Sequence, residues 1–373
     1  MAKLGEVCKV SPSTKNIERQ GAWLLNLDMV EQQTGRVIEY KYVGEDDLNG
    51  SIIQFDTENV LYSKLRPNLN KVVLPQKDGF STSELLPLRP DASVLNRDYL
   101  AVFLRSDSFV TWAVSKTAGA KMPRLGTKDL MNAEIPVPNI EQQKTIAEKF
   151  KKLEQLISLR NQQLSKLDEL VKARFVETFG DLDSRPKQKI KDITNRVKVG
   201  FVGTCEKYYT SNSEIPMLRT TNITAHGIDL KDLKYVTKEF HEKNPKSQVH
   251  AGDLLIARHG ANGQANAYYG RDAQCLNAII IEPDINITNS IFLEYLINSI
   301  DVKSQINKKL VGSTQHVLNT TTLANVEVSI PEMREQQTFS AFVERVNQQK
   351  QTVQKSLEKL EVMKKALMQE YFG

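Results

Sequence analysis

The feature that most constrains this chain is an internal repeat of about half its length. The 373-residue sequence ends Glu370, Tyr371, Phe372, Gly373, and the same beat occurs 193 residues earlier at Glu177, Thr178, Phe179, Gly180. That offset also carries Tyr99-Leu100 onto Phe292-Leu293, Gly119 onto Gly312, Leu125 onto Leu318, Thr127 onto Thr320 and Pro138 onto Pro331. Glu141-Gln142-Gln143 matches Glu335-Gln336-Gln337 at 194, and Thr145 returns to Thr338 at 193, as though one insertion and one deletion compensate. Upstream, Val60 to Ser63 corresponds to Leu254 to Ala257 at 194. Solenoids stack three or more units of about 20–45 residues, so two long copies imply a duplicated two-part unit instead.

The first part of each copy, residues 1–138 and 187–331, mixes short β-rich runs such as Val72-Val73-Leu74 and Ala278 to Ile281 with Gly, Asn and Pro turns. Short helical patterns such as Phe292 to Ser299 lie between them, which predicts an α/β (α+β) globule. Proline then closes it, and residues 139–180 and 332–373 read as long helices without internal Gly or Pro before their final Phe-Gly. At ~1.5 Å per residue each spans roughly 55 Å, too long for the surface helix of a small globule. Residues 181–186 are a short polar linker.

In the first helix the apolar stripe is Ile146, Phe150, Leu153, Ile157, Leu164, Leu167 and Val171, interrupted at Arg160 and Arg174. In the second it is Phe339, Val343, Val346, Val353, Leu357, Leu360 and Leu367, interrupted at Lys350 and Lys364. Steps of four and three residues predict a coiled coil, and interruptions that do not coincide predict that the two copies pair with each other in one register. Chain connectivity requires that pair to be antiparallel if the globules are to lie apart.

Composition narrows the function. A hydrophobic fraction of 40%, a charged fraction of 25% and no apolar run near the ~20 residues of a membrane span predict a cytoplasmic globular protein with no membrane partner. Cys8, Cys205 and Cys275 form neither a disulfide framework nor a CxxC pair. The net charge of +5 permits a polyanionic partner without requiring one, and the 7% aromatic content argues against a platform for single-stranded bases.

Duplex DNA is read through base edges by Arg, Lys, Asn, Gln, Ser and Thr, while cations hold phosphates. Loops of that composition follow a strand in each copy: Lys64, Arg66, Asn68, Asn70 and Lys71 in the first, Arg258, His259, Asn262, Gln264 and Asn266 in the second. A second pair of loops is Lys116 to Arg124, with Lys121 and Arg124, and Lys309 to His316, with Thr314, Gln315 and His316. For any single residue here, a solvated loop charge is the plain alternative. The halves match best in the helices and poorly in these loops, which predicts an asymmetric target of two unlike half-sites whose separation the helices set.

Two unlike globules, each followed by a proline-led Glu-Gln-Gln helix and a Phe-Gly end, resemble the specificity subunit of Type I DNA restriction-modification systems. Ile135 to Gln143 and Ile330 to Gln337 look like that family's boundary between target recognition domain and conserved helical region. Ile215 to Ile223, with Arg219, Thr220 and Asn222, and Gly252 to Arg258 look typical of its recognition domains. The resemblance implies a non-catalytic reader of double-stranded DNA. It would bridge two adenine methyltransferase subunits and, in the full complex, two ATP-dependent translocase-nuclease subunits. Cofactors are then expected only on those partners: S-adenosylmethionine, ATP and Mg.

Rival classes leave weaker traces. There is no GxxxxGK[ST] loop, no Asn-Pro-Pro-aromatic base pocket and no paired His spacing for a metal. A metal nuclease can be read only loosely from Pro283-Asp284 and Asp301-Val302-Lys303. An adaptor using the coiled coil alone, without DNA specificity, is the third class.

Overall fold

The computed structural model describes residues 1–48, 51–119, 121–180, 185–224, 227–258, 263–310 and 317–373. The chain divides into two compact units that cut across the order of the segments. Unit 1 is Met1–Gln162 with Gln354–Gly373, and unit 2 is Gln163–Val353.

In unit 1 a four-stranded antiparallel sheet has the order Cys8–Val10, Leu85–Pro90, Val60–Ser63, Val72–Val73. A second sheet has the order Lys41–Val43, Ala22–Leu25, Gly79–Thr82, Ile52–Phe55, with Ala22–Leu25 and Gly79–Thr82 running parallel. Alternation of side chains across a strand explains why the central runs are apolar throughout. Val60 and Tyr62 enter a core shared with helices, while Leu61 enters a core shared with the second sheet. Both faces are covered, so no polar alternation is needed.

Unit 2 repeats this layering strand for strand. Its first sheet is Thr194–Val199, Ala278–Pro283, Leu254–Ala257, Ala265–Ala267, and its second is Lys234–Val236, Ile215–Arg219, Ala273–Leu276, Gln248–Val249. A parallel pairing again joins two central strands, Ile215–Arg219 and Ala273–Leu276. Leu254 and Ile256 face the helices, whereas Leu255 and Ala257 face the second sheet.

The long helices are Ile140–Phe179 and Met333–Phe372. In unit 1 the opening turns of the first lie beside the closing turns of the second: Phe150 and Phe372 are 6.4 Å apart, and Phe372 also packs on Tyr99 and Phe103 at 5.4 and 5.9 Å. In unit 2 the closing turns of the first meet the opening turns of the second, where Phe175 and Phe179 each lie 5.5 Å from Phe339. Within each unit the pair is therefore antiparallel. Ile146, Phe150, Leu153, Val171, Phe339, Val343, Val346, Val353 and Leu357 are buried; Ile157, Leu164, Leu167, Leu360 and Leu367 are half-buried. Phe175, Phe179, Met368 and Phe372 are buried too, extending the stripe at its ends. The two lysine interruptions are paired between helices, Lys364 with Glu154 at 3.1 Å in unit 1 and Lys350 with Asp168 at 2.5 Å in unit 2, while Arg174 pairs with Glu177 of its own helix at 2.7 Å.

What docks each helix on its globule is a fully buried amide. Gln143 Oε1 accepts from Asn96 N at 2.8 Å, and its Nε2 donates to Val94 O and Pro138 O at 2.9 and 2.8 Å. Gln336 does the same with Asn289 N, Ile287 O and Pro331 O at 3.1, 2.9 and 3.0 Å. These partners correspond at 193 throughout, so Gln143 is equivalent to Gln336 and not to Gln337. The match of the Glu-Gln-Gln triplets at 194 is a coincidence of composition, and no compensating insertion and deletion occurs there. A buried polar group without its partner costs ~1–3 kcal/mol. Replacing Gln143 or Gln336 by Leu keeps the volume and strands three backbone groups. Each change is expected to lower the unfolding free energy by about 2 to 4 kcal/mol in denaturant titration, and an unchanged midpoint would show that the amide is dispensable.

Candidate nucleic-acid interface

In unit 1 the two loops singled out by composition are joined by main-chain bonds. Strand Val60–Ser63 delivers Lys64, whose carbonyl accepts from Leu125 N at 2.9 Å, and Arg66 N donates to Pro123 O at 2.8 Å. Ala118 and Arg124 exchange bonds of 3.1 and 3.0 Å across the second loop. Arg66, Asn68, Lys121 and Arg124 are exposed and Lys64 is half-buried. Arg124 is paired with Glu84 at 3.2 Å, whereas Lys64, Arg66 and Lys121 are among the described cations of these loops without a carboxylate partner.

Two neighbouring residues face inward. Asn70 is buried and donates to Arg105 O at 3.0 Å; Lys71 Nζ donates to Leu27 O at 2.5 Å, and burial pulls its pKa down. Lys71 is thus a strut under the loop rather than a groove residue.

Unit 2 reproduces the main-chain join, with Leu318 N donating to Arg258 O at 3.2 Å and Ala257 N to Gln264 O at 3.1 Å. Its candidate side chains mostly serve the fold. Arg258 Nε donates to Leu318 O at 3.2 Å and its Nη1 to Asn277 Oδ1 at 2.9 Å. Asn222 is buried, accepting from Arg219 N at 2.9 Å and donating to Asp229 O at 3.0 Å. Arg219 Nη2 donates to Asp232 O at 2.9 Å, Thr220 Oγ1 to Asn277 O at 3.2 Å, and buried Asn266 to Thr224 O at 3.0 Å. Gln264 is half-buried with a bond to Ala265 O at 3.3 Å. Asn222 and Asn266 are therefore removed from any surface that could meet a duplex, and Arg258 is an internal brace. His259, Asn262, Thr314, Gln315 and His316 lie outside the described residues.

Two residues of the loose nuclease pattern, Lys303 and Asp284, are engaged elsewhere. Lys303 Nζ donates to Gly263 O at 2.5 Å, and Asp284 Oδ1 accepts from Asn286 N at 3.0 Å in its own turn. Among the described residues no group of three or more His, Cys, Asp or Glu is placed to hold a metal ion. The three cysteines are buried, and burial pushes the Cys8 and Cys275 thiols up to about 12.

The geometry is that of two topologically equal globules, in each of which the residue just after a central strand, Lys64 or Arg258, accepts a main-chain bond from a leucine, Leu125 or Leu318, far along the chain. The sequence profile described as Type I restriction modification DNA specificity domain matches residues 1–169 and 187–362. The chain belongs to that family. The "Type I restriction enzyme MjaVIII specificity subunit" of Methanocaldococcus jannaschii is 24% identical over 324 residues, 81% of this chain and 75% of the relative. The "Type I restriction enzyme EcoDI specificity subunit" of Escherichia coli is 24% identical over 172 residues, 44% of this chain and 37% of that protein. The solved "Type-I restriction-modification system S subunit from M. genitalium" shares the fold with a TM-score of 0.62 at 14% identity, covering 100% of this chain and 95% of the other. A chain from a structural study of complex assembly in "the type I R-M system" has a TM-score of 0.58 at 15% identity, covering 100% and 96%. Among the described residues of this specificity-family chain, no helix is long and apolar enough to cross a membrane.

One ionisable group in unit 2 was not singled out by sequence. Glu294 lines a cleft of about 1140 Å³ with Asp168, Tyr295 and Lys350, and its Oε2 accepts from Ala267 N at 2.9 Å. Burial raises its pKa from 4.5 to about 7, against the lowering effects of the Ala267 bond and Lys350. A carboxyl whose folded pKa exceeds its unfolded value favours folding below that unfolded value and loses the contribution as pH rises through 7. Glu294→Gln, which can still accept from Ala267 N, is expected to flatten the decline in stability between pH 5 and pH 8 in denaturant titrations. Parallel pH profiles for the two proteins would contradict this.

Proposed function

We propose that this chain is the non-catalytic reading subunit of a cytoplasmic Type I restriction-modification complex. In this reading it recognises an asymmetric, bipartite double-stranded DNA target, one half-site per unit. Two adenine methyltransferase subunits and two translocase-nuclease subunits perform the chemistry with S-adenosylmethionine, ATP and Mg. The observation that carries the reading is the contrast between equal scaffolds and unequal loops. The join between the strand-end loop and its neighbour is the same main-chain bond in both units, Leu125 to Lys64 and Leu318 to Arg258. The side chains along those loops differ. Main-chain bonds fix where a loop sits, whereas side chains decide which base edge is met, so two unlike loops on one scaffold suit two unlike half-sites. A small domain buries roughly 600–1,000 Å² on DNA, so each half-site is expected to span only a few base pairs.

The spacing between half-sites is assigned to the helices, each of which continues unbroken from one unit into the other. Mapping methylated adenines in a genome carrying this chain and its partner subunits should return one asymmetric motif in two parts. A symmetric motif, or methylation without sequence preference, would overturn the reading. Removing one heptad from both helices is expected to change the permitted number of base pairs between the parts or to abolish methylation; an unchanged motif would remove the helices from that role.

A further inference from the structure

We infer that Asn68 reads a base pair in the major groove and that Gln33, which lies outside every loop singled out from sequence, is the positioning residue that aims it. This rests on the DNA-reading function proposed above and narrows it to two side chains of unit 1.

Asn68 is exposed, and among the described residues its amide makes no side-chain hydrogen bond; its main-chain carbonyl is held instead. It sits in the short turn Pro67–Leu69, flanked by Arg66 and Asn70, both in the left-handed region at φ 50°. Gln33, at φ 65°, is a third left-handed residue against the same turn. Non-glycine residues persist in that conformation only where their surroundings impose it.

The imposing contacts come from three directions. Beneath the turn, Asn70 Nδ2 donates to Arg105 O at 3.0 Å, and Leu69 N and Asn70 N donate back to Arg66 O and Pro67 O, each at 2.9 Å. On one side, Arg66 N donates to Pro123 O at 2.8 Å. On the other, Gln33 holds the turn twice, through its N to Leu69 O at 3.1 Å and its Nε2 to Asn68 O at 3.0 Å. Gln33 is itself fixed in a tight turn in which Glu31 N donates to Arg36 O at 2.8 Å. Gly35 presses that turn onto the neighbouring strand so closely that a Cβ there would lie 1.7 Å from Val72 O. An exposed, unengaged amide is thus mounted on backbone restrained on every side.

An Asn amide presents one donor and one acceptor together, the pattern that pairs with N6 and N7 of adenine in the major groove. Arg66 and Lys121 are exposed beside it and suit the flanking phosphates. The tolerance for such a contact is about 0.5 Å, so loss of the Gln33 tether should blur base reading before it affects folding.

The test uses the complete complex with its methyltransferase subunits, selecting duplexes from a randomised library at fixed salt. Asn68→Ala should cost about ten-fold discrimination at one base pair of one half-site, leaving the other half-site unchanged. Gln33→Met, which keeps the shape and removes the donor, should weaken discrimination several-fold at that same position. Its salt dependence of binding and thermal midpoint should equal those of the parent, because no phosphate contact or core packing is removed. If the parent complex selects a motif and Asn68→Ala selects the identical one, the inference is wrong. Equal loss at both half-sites, or a lowered midpoint for Gln33→Met, would likewise overturn it. A parent complex that selects no motif would instead sink the DNA-reading function itself.

Discussion

Neither globule completes its core with only the helix that follows it in the chain, since each also takes residues from the other long helix, and the rest of the structure depends on this exchange. The core of unit 1 includes Met368 and Phe372 from the far end of the chain, and Ser108 Oγ donates to Phe372 O at 2.6 Å. The core of unit 2 includes Val171, Phe175 and Phe179 from the helix that began in unit 1. Burying one such aromatic side chain contributes ~1.5–3 kcal/mol, so the exchanged residues together rival the net stability of a typical domain. The exchange also orders assembly. Every part of unit 2 lies between residues 163 and 353, whereas unit 1 needs residues 354–373. Its final packing therefore waits for the last segment and forms contacts of very long sequence separation, a slow step by loop-closure entropy.

Such an exchange requires one register between the helices, and the polar interruptions supply it. Lys350 meets Asp168 within unit 2 and Lys364 meets Glu154 within unit 1, where Arg105 adds a second cation 3.4 Å from Glu154. All these side chains are half-buried or more. A shift by one heptad would carry both lysines off these carboxylates, bringing Asn161 or Phe175 to Lys350 and Ala147 or Asn161 to Lys364, and an unpaired, partly desolvated lysine costs more than the pair contributes when made. The apolar stripe provides the attraction and the lysines exclude the alternatives.

The repeat, the long helices and the mixed globules were legible because they rest on periodicity and on where Gly and Pro fall. The inward roles of Asn222, Asn266 and Arg258 were not. An amide that closes a buried turn and an amide that meets a base are the same residue type in the same Gly- and Asn-rich loops, and composition does not say which way a side chain faces. Gln143 and Gln336 show this most clearly. As part of a triplet they read as polar helix-opening residues, yet each is fully buried with three backbone partners. Pairing by identity also shifted the equivalence by one residue, because neighbouring glutamines are interchangeable as letters and not as positions. Gln33 left no signal at all, since its effect is a bond to the main chain of a residue 35 positions away.

The same distinction accounts for how one scaffold carries two different readers. The loops are held to their neighbours by main-chain donors and acceptors, which nearly any residue supplies, so Lys64 and Arg258 occupy matching places with different side chains. Beneath them the requirements tighten: the layers alternate strictly between two cores, and the helix junction demands a buried amide with its particular partners. Freedom at the loop tips and rigidity below arise from one cause, the difference between bonds the backbone makes and bonds only certain side chains can make. A change at an exposed tip such as Asn68 alters what is presented without altering where it is presented. A change at Gln143 or Gln336 instead strands three backbone groups where the helix meets its globule.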